Sequence, residues 1–441
     1  MVFKMIVMKF GGTSIGNAER IINVANIIKD NLEKKPIVVV SSITKITDAL
    51  IKLANESIQG KSEETFEFIK KTHYDILKEL NIDQDLLKKD IKNLYKLISK
   101  IKSKKSIDAK ILDAIQSFGE QMSSKILAAQ LNKINVKARA FNSWEIGFIT
   151  NSEFGNAEPL EITYSKIGEN IKKLDVVPVI TGFIGKTIAG DITTLGRGGS
   201  DYSATIIGTA INAKEIQIWS DVNGIMSGDP RIVNNPKTLE NISFNEAAEL
   251  AYFGAKVLHP KTILPSMNKN IPVRVLNSFN PKNNGTVIFN NGDKQAVKAI
   301  AYKKKITLIN INSTRMLGAY GFLAKIFDIF AKYEKSVDVI STSEVSVSLS
   351  IDNDKNINEI LDELKAISNV NVERNKAIIC IVGEGIKNTF GIIAKTFTAI
   401  ENNKINIEMI SQGASKINLT FIIDEKDSEK AVNILHNEYF S

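Results

Sequence analysis

Short apolar runs alternate with amphipathic stretches through roughly the first 300 residues. Runs such as Ile37–Val40 and Val176–Ile180 have the length of buried strands. Strands are predicted at Phe3–Lys9, Ile37–Ser41, Val136–Ala140, Val176–Thr181, Glu215–Trp219 and Pro272–Val275. Between them, apolar residues at three-to-four spacing predict helices at Asn17–Leu32, Glu64–Leu80, Asp83–Ile101, Ala109–Leu131, Tyr202–Asn212 and Asn245–Phe253. Strands and helices in alternation argue for a layered α/β domain. Asn277–Asp293, rich in Asn, Gly, Pro and Lys, reads as a linker.

From Ala296 the predicted elements are shorter, and an internal repeat emerges. Gly321-Phe322-Leu323-Ala324-Lys325-Ile326-Phe327 is echoed by Gly391-Ile392-Ile393-Ala394-Lys395-Thr396-Phe397. Each helical start is followed by a polar break and a short strand ending Ile340-Ser341 or Ile410-Ser411. An alternating strand (Val345–Ile351; Ile417–Ile423) and a second helix (Ile357–Ile367; Ser428–Leu435) follow. Two matching units are too few for a solenoid, so they read as a pair of small sandwich domains.

Composition narrows the partners. At 441 residues the chain exceeds one ordinary core and reads as two or three domains. The net charge of +8 is no signature of nucleic-acid binding here. Much of the lysine lies on amphipathic helices such as Leu86–Lys105, where it forms a solvated face, so no nucleic-acid partner is expected. No apolar run approaches the roughly 20 residues of a membrane span, and Met1–Phe10 lacks the pattern of a secretory signal. A cytoplasmic protein without a membrane partner is expected. A single cysteine, Cys380, allows no internal disulfide or Cys-based zinc site, and His73, His259 and His436 are scattered. No protein-built metal site is expected.

Two loops carry candidate chemistry. In Met8-Lys9-Phe10-Gly11-Gly12-Thr13-Ser14 a strand ends at a lysine, two glycines turn, and a helix follows near Asn17. Such a turn brings backbone N–H groups and a helix N-terminus close to an anion, although a simple tight turn has the same pattern. Thr193-Thr194-Leu195-Gly196-Arg197-Gly198-Gly199-Ser200-Asp201 sets three glycines around an arginine before another helix, which packing alone explains poorly. The arginine can grip a carboxylate with two hydrogen bonds. Neither loop fits the Gly-x-x-x-x-Gly-Lys-Ser/Thr phosphate loop. Both lie at strand ends and can meet in one crevice as an anion site. A third cluster, Ile218–Arg231, a strand followed by a turn-rich loop, reads either as a structural loop or as part of a site.

With Phe253-Gly254-Ala255-Lys256-Val257-Leu258-His259-Pro260, these segments resemble the signature strings of aspartate kinases within the amino acid kinase family. The resemblance covers nearly the whole chain. It implies a three-layer αβα sandwich (the amino acid kinase fold) over residues 1–295, followed by two α+β ACT-type, ferredoxin-like regions at 296–376 and 377–441, interleaved in the chain. It also implies transfer of the γ-phosphate of ATP, carried with Mg2+, to the side chain of aspartate, the first step towards lysine, threonine and methionine. With the chain ending at Ser441, no fused homoserine dehydrogenase is expected.

By the same resemblance Lys9 is the cation at the transferring phosphate, Gly11 and Gly12 its amide cradle, and Asp201 the catalytic-site carboxylate that orients the lysine and neighbouring groups. Arg197 and Ser200 hold the substrate's carboxylates, Glu120 its ammonium, and Thr47 and Ser41 complete that pocket. Ser220, Asp221, Met226, Arg231, Lys256 and Val257 match nucleotide-contacting positions. The loop Ser41–Asp48 lacks a glycine common in the family and ends in Asp where Asn is usual. Met226 stands where a tyrosine is frequent, and Ser220 keeps the hydroxyl of a common threonine.

The repeated units resemble ACT domains, which bind amino acids at a paired interface; a dimerisation module without ligand is the alternative. The first unit is similar to the lysine-sensitive branch at Met316, Gly321, Phe322, Leu323, Ser336, Val337, Asp338, Ser343 and Glu344. Lysine carries an extra ammonium, so Asp338 and Glu344 suit it, while the amides near Gly321–Leu323 suit its carboxylate. Either acid also fits a solvated loop end. A homodimer or homotetramer is implied.

Overall fold

The computed structural model describes residues 5–254, 259–290, 295–313, 320–413 and 417–440. The chain divides into two compact units, one of 1–225, 240–244 and 257–291, the other of 226–239, 245–256 and 292–441.

In the first unit β1 (Ile6–Phe10) and β2 (Pro36–Val40) are wholly buried, as their near-continuous apolar sequence requires of strands covered on both faces. The remaining strands are β3 (Ala138–Phe141), β4 (Ile149–Thr150), β5 (Val177–Thr181), β6 (Ile184–Thr187), β7 (Ile192–Thr194), β8 (Glu215–Ser220), β9 (Asn241–Ser243), β10 (Val273–Asn277) and β11 (Thr286–Phe289). Eight of them form one sheet in the order β3-β5-β2-β1-β8-β10-β11-β9. It is parallel throughout except for the antiparallel pair β10–β11. Side chains alternate across it. Ile6, Met8 and Phe10 join the core beneath the helices Ala18–Lys29 to Phe118–Lys133. Val7, on the other face, lies beside Gly208 of helix Gly199–Ala210. The chain leaves β1 towards β2 on one side and pairs with β8 on the other, so loops part above β1 and open a crevice at the strand ends. The expected αβα layering is present.

Three expectations differ from the structure. The 277–293 stretch is no simple linker, because Thr286–Phe289 pairs in register with Val273–Val275. Its apolar run is too short to stand out between turn residues, and only the partner strand defines it. The helix expected over 109–131 is two, Ala109–Gln116 and Phe118–Lys133, broken at Ser117, whose hydroxyl turns back to the Ala114 carbonyl at 2.7 Å. Beyond Ala296 the strands are not uniformly shorter.

Two of them, β12 (Ala299–Asn312) and β15 (Asn369–Val382), have 14 residues each. With β13 (Ile340–Thr342), β14 (Ser346–Ile351), β16 (Met409–Ser411) and β17 (Asn418–Asp424) they form a six-stranded sheet ordered β13-β14-β12-β15-β17-β16. A register shift between Lys303 and Ile306, with Lys305 at φ +60°, divides β12 in two. Ile309 and Ile311 beyond it pack with helices Phe322–Lys332 and Ile357–Lys365. Ile300 before it packs with helices Ile392–Asn402 and Ser428–Phe440. The two repeat units therefore share both long strands. Among the described residues no helix is long and apolar enough to cross a membrane.

Candidate active site

Alternation along β1 sends Lys9 to the same face as Val7, where the first turn of helix Gly199–Ala210 presents Asp201. The two form an ion pair at 2.5 Å, with side chains only 11% and 15% exposed. Around them lies a cavity of about 260 Å³ lined by Lys9, Ser41, Thr47, Glu120, Phe183, Arg197, Ser200 and Asp201, and by the glycines of the Arg197 loop. Five stretches distant in sequence are thus brought together: the ends of β1, β2, β5 and β7 or the loops after them, and the start of helix Phe118–Lys133.

Each wall has a local cause. Gly11, still extended, donates its N–H to the Trp219 carbonyl at 3.1 Å and prolongs the pairing of β1 with β8, while its carbonyl accepts from Ser14 at 3.0 Å and closes the turn that follows. At Gly12 a Cβ would lie 2.7 Å from the Ser42 carbonyl, so only glycine lets the loops after β1 and β2 touch. Ser41 anchors the second loop, its N–H on the Phe10 carbonyl at 3.2 Å and its own carbonyl accepting from Ser123 at 2.7 Å. Thr47 shares a 2.5 Å hydrogen bond with the Ser42 hydroxyl.

Glu120 is 1% exposed. Its Oε1 accepts the Ser42 N–H at 3.0 Å, and Oε2 has no hydrogen-bond partner among the described residues. Burial pushes its pKa up to about 8, against the opposing pull of the Ser42 N–H and the Lys9 charge. Arg197, by contrast, is exposed at the rim and makes no ion pair among the described residues. Ser200 is buried beside Asp201. The cavity thus holds one paired cation, one free cation and a buried carboxylate with an unused oxygen, which suits a small zwitterion carrying an additional carboxylate.

Ser42 and Phe183 were not singled out by sequence. Ser42 ties Glu120 to Thr47, and only its place in a loop after an apolar strand hints at that. Phe183 lines the cavity at φ +65°, held by its N–H on Ser203 Oγ at 3.0 Å and its carbonyl accepting from Leu195. A bulky residue in that conformation is strained and held there by its surroundings.

The nucleotide-contact candidates are spread more widely. Ser220 ends β8 and its carbonyl accepts from both N–H and Oγ of Ser278 at 2.9 Å, while Asp221 is exposed. Met226 and Arg231 fall in the second unit. There Arg231 is engaged by Asp229 through two hydrogen bonds, at 3.0 and 2.6 Å. Lys256 and Val257 lie outside the described residues.

Of the effector candidates, Gly321 caps helix Phe322–Lys332, whose first turn holds Phe322 and Leu323. Ser336, Val337 and Asp338 lead into β13, while Ser343 and the exposed Glu344 form the turn after it. Met316 lies outside the described residues. Asp338 does not point freely to solvent. Its Oδ1 is held by Lys303 at 2.9 Å and the Tyr252 hydroxyl at 2.8 Å, and its buried Oδ2 has no hydrogen bond among the described residues. Lys303 also pairs with Asp352 at 2.9 Å.

Residues 4–277 match the amino acid kinase family and residues 379–439 an ACT domain. "Aspartokinase 3, chloroplastic" of Arabidopsis thaliana is 41% identical, over 98% of this chain and 81% of that protein. "Lysine-sensitive aspartokinase 3" of Escherichia coli (strain K12) is 35% identical, over 99% of both. The crystal structure of E. coli aspartokinase III in complex with aspartate and ADP superposes with a TM-score of 0.85 at 34% identity, covering 99% of this chain and 100% of that one. A lysine and a glycine-flanked arginine facing one cavity, together with similarity over nearly all of this chain to these relatives, place the chain in the aspartokinase family: it is an aspartate kinase.

Proposed function

We propose that the cavity around Lys9 is where the side-chain carboxylate of L-aspartate takes the γ-phosphoryl group of ATP, giving 4-phospho-L-aspartate. The observation that carries this reading is that a buried cation, Lys9, an exposed one, Arg197, and Glu120, whose Oε2 has no hydrogen-bond partner among the described residues, line one cavity.

The acceptor carboxylate has an unperturbed pKa near 3.9 and arrives ionised, so no general base is needed. The obstacle is repulsion between two anions, and the site must cancel charge and align them. Lys9 supplies a fixed positive charge at the transferring phosphoryl group. Of the expected Gly11–Gly12 cradle only the Gly12 N–H is left for the same oxygens, because the Gly11 N–H is spent on the Trp219 carbonyl. Asp201 holds the ammonium of Lys9 in place. Arg197 and Ser200 take the acceptor's carboxylates and Glu120 its ammonium, with Thr47 and Ser41 closing the pocket. Ser220, Asp221, Met226, Arg231, Lys256 and Val257 are assigned to the nucleotide.

Among the described residues no three His, Cys, Asp or Glu side chains converge on a metal position, and the cavity carboxylates are Glu120 and Asp201. That donor set fits a magnesium ion held mainly by nucleotide phosphates and water, with Asp201 the carboxylate on the Lys9 side. When bound, the ion would neutralise charge on the phosphates.

Residues 1–295 are assigned to catalysis and 296–376 and 377–441 to ACT-type regulation, in a cytoplasmic dimer or tetramer. Supplied with ATP and aspartate, glutamate or N-acetylglutamate, the enzyme should consume ATP with aspartate alone. Turnover with another acceptor and none with aspartate would reject the assignment.

Lysine is the proposed effector, as the name of the E. coli relative suggests. An incoming ammonium would compete with Lys303 for Asp338, whose second oxygen is buried without a hydrogen bond among the described residues. Asp338→Ala is expected to raise the lysine concentration for half-inhibition by about a hundredfold, the scale of losing a charge-assisted contact. Inhibition curves with lysine, threonine and methionine check this. Unchanged lysine sensitivity, or inhibition by threonine alone, would count against it.

A further inference from the structure

Asp113 belongs to none of the motifs above, yet it is 1% exposed and fully engaged. From helix Ala109–Gln116 its Oδ2 accepts the N–H groups of Gly155 at 2.9 Å and Thr194 at 2.8 Å, and its Oδ1 accepts the Thr194 hydroxyl at 3.0 Å. Thr194 ends β7 and is followed by Leu195-Gly196-Arg197; its carbonyl accepts from Ala157 at 2.9 Å. The 155–157 loop lies directly against the arginine turn. Gly196 has φ +75°, and a Cβ there would sit 2.9 Å from Asn156 Oδ1. At its other end the Asp113 helix runs through Ser117, whose N–H bonds the Asp113 carbonyl at 3.0 Å, into the helix that carries Glu120.

We propose that Asp113 is a positioning residue for the amino-acid acceptor: it pins the Arg197 turn to the helix leading into Glu120 and so sets the span between the two groups that grip the acceptor. The proposal rests on the reading of Arg197 and Glu120 as acceptor contacts. Aspartate is short, so its ammonium and carboxylates reach only a narrow range of spacings of those partners. Misplacement by about 1 Å is enough to cost two orders of magnitude. A carboxylate suits the task because one group satisfies three donors that a buried loop junction would otherwise leave unpaired.

Steady-state kinetics on the full-length enzyme test this. Asp113→Ala is expected to raise the KM for aspartate about thirtyfold, with the KM for ATP and the kcat at saturating aspartate within about threefold of wild type. Asp113→Asn should restore aspartate KM to within about threefold, since its amide oxygen accepts both N–H groups and its NH2 donates to the Thr194 hydroxyl. A purely architectural role predicts something else: less active enzyme, hence lower apparent kcat, at unchanged KM. Should the alanine variant fail to fold, Thr194→Val, which strips only the Oδ1 bond, is expected to raise aspartate KM about threefold. Arg197→Ala is measured alongside. If it leaves aspartate KM unchanged, the reading of Arg197 fails. If it raises KM while Asp113→Ala (or Thr194→Val) does not, the positioning role of Asp113 is overturned.

Discussion

Lys9→Met is expected to lower kcat by about a thousandfold or more, the scale of removing a preorganised charge at a site of developing charge. Nothing in this cavity needs to remove a proton, so the barrier is electrostatic, and Lys9 is the buried cation of the set. Its 2.5 Å pairing with Asp201 fixes the ammonium before substrate arrives, so no reorganisation is required at the moment of transfer. Lys9→Met also strands the Asp201 carboxylate, and a buried charge without its partner costs about 3–5 kcal/mol. The double variant Lys9→Met/Asp201→Asn removes that penalty and should recover thermal stability without recovering turnover. Lys9→Arg keeps the charge but presents a planar fork in place of a compact ammonium, and about a hundredfold loss is expected from it. Single-turnover phosphoryl transfer and melting curves measure both sides. A Lys9→Met enzyme with kcat within tenfold of wild type would remove Lys9 from the chemistry.

The sequence carried the kinase unit's fold class well, for a physical reason. Strands buried on both faces must be largely apolar runs, as β1, β2 and β5 are, while β8 was legible from its alternating isoleucines and tryptophan. The loops around Lys9 and Arg197 were visible because glycine and charge together at a strand end are hard to account for by packing. What escaped detection depends on partners. β11 is defined only by pairing with β10, and hairpin β6–β7 is too short for periodicity to register. The long strands β12 and β15 were hidden by the polar residues at their exposed middles, where each passes from one repeat unit to the other. The same holds within the site. No spacing rule reveals that Ser42 ties Glu120 to Thr47, that Arg231 is taken up by Asp229, or that Asp338 is already held by Lys303 and Tyr252. A residue type announces what it can bind, while the fold decides what it has bound already.

Glu120 makes that distinction measurable, because its affinity for the acceptor and its burden on the fold depend on pH in opposite ways. The side chain is buried, and its pKa is pushed up to about 8. In the substrate-free enzyme it is therefore mostly protonated at neutral pH, whereas an acceptor ammonium requires the anion. Below pH 8 the KM for aspartate should climb by about tenfold per unit as pH falls, since each unit leaves tenfold less of the binding form. The kcat at saturation should stay nearly flat, because the bound ammonium lowers the pKa of the carboxylate beside it. Glu120→Gln should abolish this slope and raise KM about a hundredfold above pH 8, where the wild-type carboxylate is fully charged. Stability runs the other way. Unfolded, Glu120 ionises near 4.5, while folded it keeps its proton to about 8, so the native state binds more protons across that window and loses stability as pH rises. Each unit costs about 1.4 kcal/mol. Glutamine cannot ionise, so Glu120→Gln should be the more stable protein at pH 7, by on the order of 3 kcal/mol. Denaturant titrations at pH 5, 7 and 8.5, with kcat/KM for aspartate at the same values, test both halves. A flat wild-type KM profile, or a Gln variant no more stable at pH 7 than at pH 5 relative to wild type, would mean that Glu120 is ionised in the free enzyme. A stabilised variant that binds aspartate poorly would identify Glu120 as a group kept for recognition at the expense of the fold.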